Sequence, residues 1–218
     1  MKRIFVASIL SIAWLVCALS AYADVQATVF DFRGKVDILV PGGAWQPVQK
    51  GMVIDQGTTI STGFNATAVL RVAASTVTVQ QLTRLRLDEL LQKQGRLTTS
   101  FTLPIGRIQA QVRSADGSPQ DFQIHSAVAT AAVRGTEFDF NGNRLIVRDG
   151  LVAFYNSLGQ MVFVSHGQES STSGTDTPSS PQEALSGDTQ LPVSGAGLPT
   201  GGGLSGSTTT GTIVVTWQ

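Results

Sequence analysis

Residues 84–88 read Arg84-Leu85-Arg86-Leu87-Asp88, an unbroken alternation of charged and leucine side chains. In an extended chain successive side chains point to opposite faces, so this stretch places both leucines inward and the three charges outward. It predicts a strand half-buried in a sheet. Glu89 to Gln94, which follow, are expected to close a short helical turn before Gly95.

Working outward, the same period-two pattern recurs between turn residues. Upstream it covers Ala27 to Phe32, Lys35 to Val40, Val53-Ile54, Thr58 to Ser61, Ala66 to Val72 and Thr76 to Gln80, with Gly34, Gly42-Gly43, Gly51 and Asp55-Gln56-Gly57 as breaks. Downstream it covers Leu97 to Leu103, Arg107 to Arg113, Asp121 to His125, Val128 to Val133, Glu137 to Phe140 and Arg144 to Arg148. Asp149-Gly150 reads as a tight hairpin turn into Leu151 to Tyr155, and Asn156 to Gly159 as another into Met161 to Val164. Strands this closely spaced, with no long helix between them, exclude a βαβ architecture. They predict an all-β fold, an antiparallel-rich sandwich, a jelly roll or an irregular β-solenoid.

The β-rich part is flanked by segments of different character. Residues 1–23 read as a secretory signal: Lys2 and Arg3, then an apolar run from Ile4 to Leu19, then Ala21-Tyr22-Ala23 as a small-x-small cleavage site that leaves Asp24 as the new N-terminus. The competing reading is an uncleaved anchor, since the apolar run is near the lower limit for spanning a bilayer. Export places the protein in the periplasm or outside the cell. From Gly167 to Gln218, 33 of 52 residues are Gly, Ser, Thr or Pro and none is Lys or Arg, which predicts a flexible tail. Within it, Thr212-Ile213-Val214-Val215-Thr216-Trp217 has the β-branched composition of a strand able to add to a sheet edge.

The 218 residues carry 15 Lys+Arg against 15 Asp+Glu, and that balance argues against nucleic-acid binding. Neutrality is a sum of unequal parts, for residues 24–166 hold 13 basic and 11 acidic side chains while the tail holds four acids and no base. Cys17 lies inside the signal, so the exported chain has no cysteine for a nucleophile, a disulfide or a zinc site. His125 and His166 stand in no metal-ligand spacing and read as surface or strand-end residues; no cofactor is expected. Asp88-Glu89 are adjacent and face apart on a strand, the serines lie in no Gly-x-Ser-x-Gly elbow, and the glycine runs lack the Lys-Ser/Thr of a phosphate loop. No catalytic constellation remains, and an enzyme is not expected.

Four short pieces exceed what generic strands require: Trp45-x-Pro47-Val48-x-x-Gly51, Ile60-Ser61-Thr62-Gly63, Leu103-Pro104-Ile105-Gly106-Arg107-Ile108, and Val133-Arg134-Gly135-Thr136-Glu137-Phe138. In this order the chain resembles the FecR family domain over residues 33 to 169, with Val147-x-Asp149-Gly150-x-Val152 and His166-Gly167-Gln168 fitting its closing strands. Ser126-Ala127 departs from the Thr-Pro that the family often carries. The family's namesake is an inner-membrane regulator that senses an outer-membrane transporter and controls a sigma factor. The resemblance implies a non-enzymatic protein-interaction or sensory module in the bacterial envelope. No cytoplasmic sigma-binding segment is expected ahead of the signal, which separates the chain from a transmembrane relay.

The signature Val133, Arg134, Gly135, Thr136, Glu137 and Phe138 is expected to be structural, a bulge at Gly135 stapled by an Arg134–Glu137 pair and anchored by Phe138. The alternative makes Arg134 a ligand contact. Arg71, Arg84, Arg86, Arg107 and Arg113 fall on predicted strands, and Arg84, Arg86 and Arg107 join Arg134 as candidate contacts. Sharing one face, they would form a cationic strip for envelope or extracellular polysaccharide, the alternative to a protein partner. Otherwise they belong to a solvated face of alternating charges. A third reading keeps the chain as a regulator anchored through residues 4–20, the one membrane contact expected.

Overall fold

The strand begun at Arg84 runs for ten residues: Leu85 and Leu87 are buried against the facing sheet with Arg84 and Arg86 in water, and from Asp88 onward the side chains are half-buried or exposed. A computed structural model describes residues 25–114 and 120–184. Eighteen strands are present among them. In chain order they are β1 (Ala27–Arg33), β2 (Val36–Leu39), β3 (Trp45–Pro47), β4 (Val53–Ile54), β5 (Thr59–Thr62), β6 (Thr67–Val72), β7 (Ser75–Val79), β8 (Arg84–Lys93) and β9 (Arg96–Ile105). Then follow β10 (Ile108–Gln111), β11 (Gln120–His125), β12 (Ala129–Val133), β13 (Glu137–Phe140), β14 (Arg144–Asp149), β15 (Leu151–Asn156), β16 (Met161–Ser165), β17 (Gln168–Ser171) and β18 (Gln182–Glu183).

They form two nine-stranded sheets. The first runs β18-β17-β14-β13-β10-β7-β6-β1-β4 and the second β16-β15-β12-β11-β9-β8-β5-β2-β3. All pairings are antiparallel except β9 with β11, where Leu97 to Thr102 run alongside Gln120 to His125 in the same direction. The chain crosses repeatedly between the sheets, and both sheets advance together from the N-terminal strands to the C-terminal ones. The architecture is therefore an open, antiparallel-rich β sandwich.

One apolar layer lies between the sheets. The fully buried side chains include Phe101, Phe122, Phe138, Phe140 and Phe154, with Ile38, Leu70, Leu85 and Leu87. Phe140 of the first sheet meets Phe154 of the second edge to face, ring centroids 6.3 Å apart. Such aromatic contacts add to the area each ring buries.

Three expectations require correction. Asp149-Gly150 does not close a hairpin, because β14 belongs to the first sheet and β15 to the second and the turn between them is a crossing. Glu89 to Gln94 do not form a helical turn: β8 runs on to Lys93, with Leu90 opposite Thr99 and Leu91 opposite Thr98, and Gln94-Gly95, both at positive φ, make the hairpin turn into β9. A long cross-strand ladder outweighs the weak helix preference of a few residues. The sheet also continues past the boundary expected at Gly167, since β17 pairs with β14 and β18 with β17. Hydroxyl and carbonyl groups close this addition where apolar side chains are scarce. Ser170 Oγ donates to the Ser179 carbonyl (2.7 Å), and Thr172 Oγ1 (2.8 Å) and Asn156 Nδ2 (3.1 Å) donate to that of Asp176. The signal, with Ala21 and Ala23, and the terminal stretch 212–217 lie outside the described residues.

Candidate functional site

The motif pieces share one structural role. Trp45 to Gly51 leads from β3 to β4, Ile60 to Gly63 from β5 to β6, Leu103 to Ile108 from β9 to β10, and Val133 to Phe138 from β12 to β13. Each is a crossing from the second sheet to the first. Crossings need a sharp change of direction with every backbone group still satisfied, which constrains residue type more than a straight strand does.

At the signature, Val133 ends β12 buried, Gly135 takes a φ of 67°, and Phe138 enters the core from β13. The Thr136 carbonyl accepts from Val112 N–H at 2.8 Å, while its buried hydroxyl oxygen has no protein partner among the described residues. Gly150 packs against this corner: a Cβ there would stand 2.6 Å from Thr136 Cγ2 and 3.0 Å from the Gly135 carbonyl, and its φ is 89°. The expected Arg134–Glu137 staple is not formed. Arg134 leaves from the second sheet and Glu137 joins the first, where Gln111 Nε2 donates to its carboxylate at 3.3 Å. The register shift lies in the β13–β14 pairing, with Glu137 opposite Asp149 and Phe138 opposite Val147.

Arg134 turns back to Asp121 of β11. Its Nη2 is 3.1 Å and its Nε 3.2 Å from Asp121 Oδ1, while Arg96 Nη1 donates to Oδ2 at 2.7 Å. The hydrogen bond from Arg96, joined by the charge of Arg134 and opposed by burial, holds the Asp121 carboxyl below its ordinary pKa. Beside this triad the outer face of the second sheet forms a shallow groove of about 420 Å³, lined by Ala132, Ala153, Leu151, Tyr155 and Phe163 with Asp121 and Arg134. Pairing register explains it. Gln123, Ala132, Ala153 and Phe163 stand in one cross-strand row, so two alanines leave a trough between larger neighbours. Leu151 and Phe163 are each more than half exposed. Among the described residues, the β16 strand that carries Phe163 is the last of its sheet and pairs with β15 alone.

The other predicted contacts do not join this site. Arg84 and Arg86 lie on β8 in the second sheet, Arg84 with its guanidinium 5.7 Å from the Trp45 ring centroid and Arg86 with Nε 2.6 Å from Asp88 Oδ1. Arg107 stands at the β9–β10 crossing beside a small recess of the first sheet lined also by Asp139, Arg144 and Arg148. Arg71 is on β6 of the first sheet, 3.8 Å above the Phe30 ring, and Arg113 follows β10. The arginines are thus divided between two sheets and do not make one strip. Asp139 hydrogen-bonds Arg148 at 2.6 Å and raises its pKa further. His125 Nδ1 lies 3.0 Å from Thr130 Oγ1, His166 is exposed, and among the described residues no cluster of His, Cys, Asp and Glu could hold a metal ion.

Sequence reasoning missed Asp121, Arg96 and the groove. The signal for the groove was in Leu151-Val152-Ala153-Phe154-Tyr155 and Met161-Val162-Phe163-Val164, which are apolar on both alternating faces. One face fills the core, so the other must be an apolar surface.

Residues 58–153 match the family model described as FecR protein. Two crystal structures of a proposed anti-sigma factor from Parabacteroides distasonis ATCC 8503, at 1.65 Å and 2.50 Å, are similar at 14% identity and a TM-score of 0.47. The similarity covers 57% of this chain and 59% of that one, so this chain spans little more than half of the protein it resembles. No curated protein matches. The matched segment runs from the entry into β5 to the middle of β15 and contains three of the four crossing motifs together with the Arg134–Asp121 pair, and over these residues the chain is similar to the FecR family.

Proposed function

We propose that this domain is a non-catalytic protein-interaction module of the cell envelope, regulatory or signalling in role, which receives an extended segment of a partner protein along β15 and β16. The observation that supports this reading is the apolar trough of Ala132, Ala153, Leu151 and Phe163 running to a strand edge unpaired among the described residues. An edge strand offers a row of free backbone donors and acceptors, and flanking pockets select side chains of the added strand. Arg134 and Asp121 line the trough, Asp121 held also by Arg96, and these fixed charges would set the direction and register of that strand. The match of residues 58–153 to the FecR family model favours a regulatory partner over a substrate. The division of the arginines between two sheets withdraws the basis for a continuous polysaccharide-binding strip.

The test is a cross-linking pull-down from envelope extract with the wild-type chain and with Leu151→Ser/Phe163→Ser, both checked for an unchanged melting profile. A discrete protein partner lost by about tenfold or more in the double variant is the expected result. Recovery of glycan without protein, or of the same protein by both forms, overturns the reading.

A further inference from the structure

At one end of the sandwich three turn segments expose large apolar side chains: Phe64 at 72%, Leu82 at 57% and Ile105 at 65%. They are neighbours along one rim. Leu82 N–H donates to the Gly63 carbonyl at 3.2 Å, and Ile105 pairs in register with Arg84, two residues past Leu82. The crossing after Ile105 is locked to the turn after Leu82, with Arg107 N–H donating to Thr83 Oγ1 at 3.0 Å and a Cβ on Gly106 falling 2.2 Å from that same oxygen. Leu82 holds a φ of 54°, a region that costs a branched side chain about 1–2 kcal/mol and that glycine or asparagine would occupy more readily. A strained leucine held out in water is not explained by the fold.

The segments that form this end carry basic side chains, with Lys35 paired to Asp37 at 3.7 Å. Segments 33–35, 63–66, 80–83 and 104–107 meet at this end and contain Arg33, Lys35 and Arg107 but no Asp or Glu. Gly63 N–H donates to the Lys35 carbonyl at 2.9 Å, which ties the first of these segments to the apolar tips. Next to them is an open polar recess of about 400 Å³ lined by Arg33, Asn65, Thr67, Gln80 and Gln81. Among the described residues Arg33 and Arg107 take part in no ion pair.

We propose that this end of the sandwich docks on an anionic phospholipid bilayer, with Phe64, Leu82 and Ile105 entering the interface, Arg33 and its polar recess receiving a headgroup phosphate, and Lys35 and Arg107 facing the charged surface. Convex apolar tips within a cationic collar suit the bilayer boundary, where apolar burial and attraction to anionic lipid act together. A protein partner would ask instead for a complementary face of larger extent. The surface is distinct from the β15–β16 trough, so the two readings stand or fall separately.

The full chain would be floated with vesicles of phosphatidylcholine alone and with phosphatidylglycerol added, alongside Phe64→Ser/Leu82→Asn/Ile105→Thr and Arg33→Gln/Arg107→Gln. Asparagine suits the backbone at position 82, so the apolar variant should keep its melting temperature. Expected are binding that rises with phosphatidylglycerol and falls with salt, about tenfold or greater weakening by the apolar triple variant, and about fivefold per arginine removed. Because residues 4–19 are themselves apolar, Phe64→Trp supplies a local readout. Its added fluorescence should shift to the blue and be quenched by brominated lipid. An added emission indifferent to vesicles, equal flotation by the wild type and both variants, or loss of a protein partner in the triple variant without any lipid binding by the wild type overturns the proposal.

Discussion

Arg134 and Glu137, three residues apart in the signature, belong to different sheets: Arg134 reaches Asp121 on β11 at 3.1 Å, while Glu137 opens β13 among the glutamines of β10. What holds the corner is therefore backbone geometry and close packing, with the arginine at its surface. Its side chain is 74% exposed, and exposed ion pairs contribute roughly 0–1 kcal/mol. Arg134→Ala should fold normally, with a loss of no more than about 1 kcal/mol in denaturant unfolding, while weakening capture of the protein partner. A collapse of the fold would instead assign the arginine a structural role.

The Asp121 carboxyl titrates below its ordinary value because it is held by Arg96 and Arg134. A group whose folded pKa is lowered stabilises the fold fully above its unfolded value, near 3.9, and loses that contribution as pH falls through the folded value. The stability difference between wild type and Asp121→Asn should therefore be constant above about pH 5 and shrink below about pH 4. Urea titrations at several pH values measure it, and a gap that widens with acid would contradict the assignment.

The hydroxyl of Thr136 is buried without a protein partner among the described residues. Replacing it by a methyl of nearly the same volume removes a desolvation penalty of about 1–3 kcal/mol, so Thr136→Val should be neutral or stabilising. Gly150→Ala, by contrast, drives a Cβ to 2.6 Å from Thr136 Cγ2 at a φ of 89°. It should destabilise by about 1–3 kcal/mol. Thermal melts of the two variants should move in opposite directions or leave the first unmoved.

Phe154 fills the space between the sheets against Phe140. Phe154→Ala should cost about 3–5 kcal/mol, the range for a large side chain removed from a core. Phe154→Leu should recover most of it. Equal losses in both would mean that the aromatic edge contact, and not the filled volume, dominates there.

The strands were legible where one face is apolar and the other polar, as in Arg84 to Asp88, whereas Asp149-Gly150, whose residue types suit a hairpin turn, instead passes the chain from β14 of the first sheet to β15 of the second. The continuation of β8 through Leu90 and Leu91 was not, because it depends on a partner strand beyond the turn. Nor were β17 and β18, whose Ser- and Thr-rich composition resembles a linker until carbonyls from Ser179 and Asp176 supply partners. The family motifs were visible as unusual residues, but their shared position at crossings between sheets appears only in three dimensions. Asp121 gave no signal at all, since its two arginines are distant in sequence.

The joint advance of the two sheets has a consequence for how the molecule comes into being. β1 through β8 pair with one another to complete the N-terminal half of both sheets before β9 is needed, and β9 onward adds strands to the growing edges. Among the described residues, no early strand waits for a partner at the far end of the chain. A polypeptide that emerges residue by residue can assemble in the order of its arrival, each new strand finding a finished template already in place.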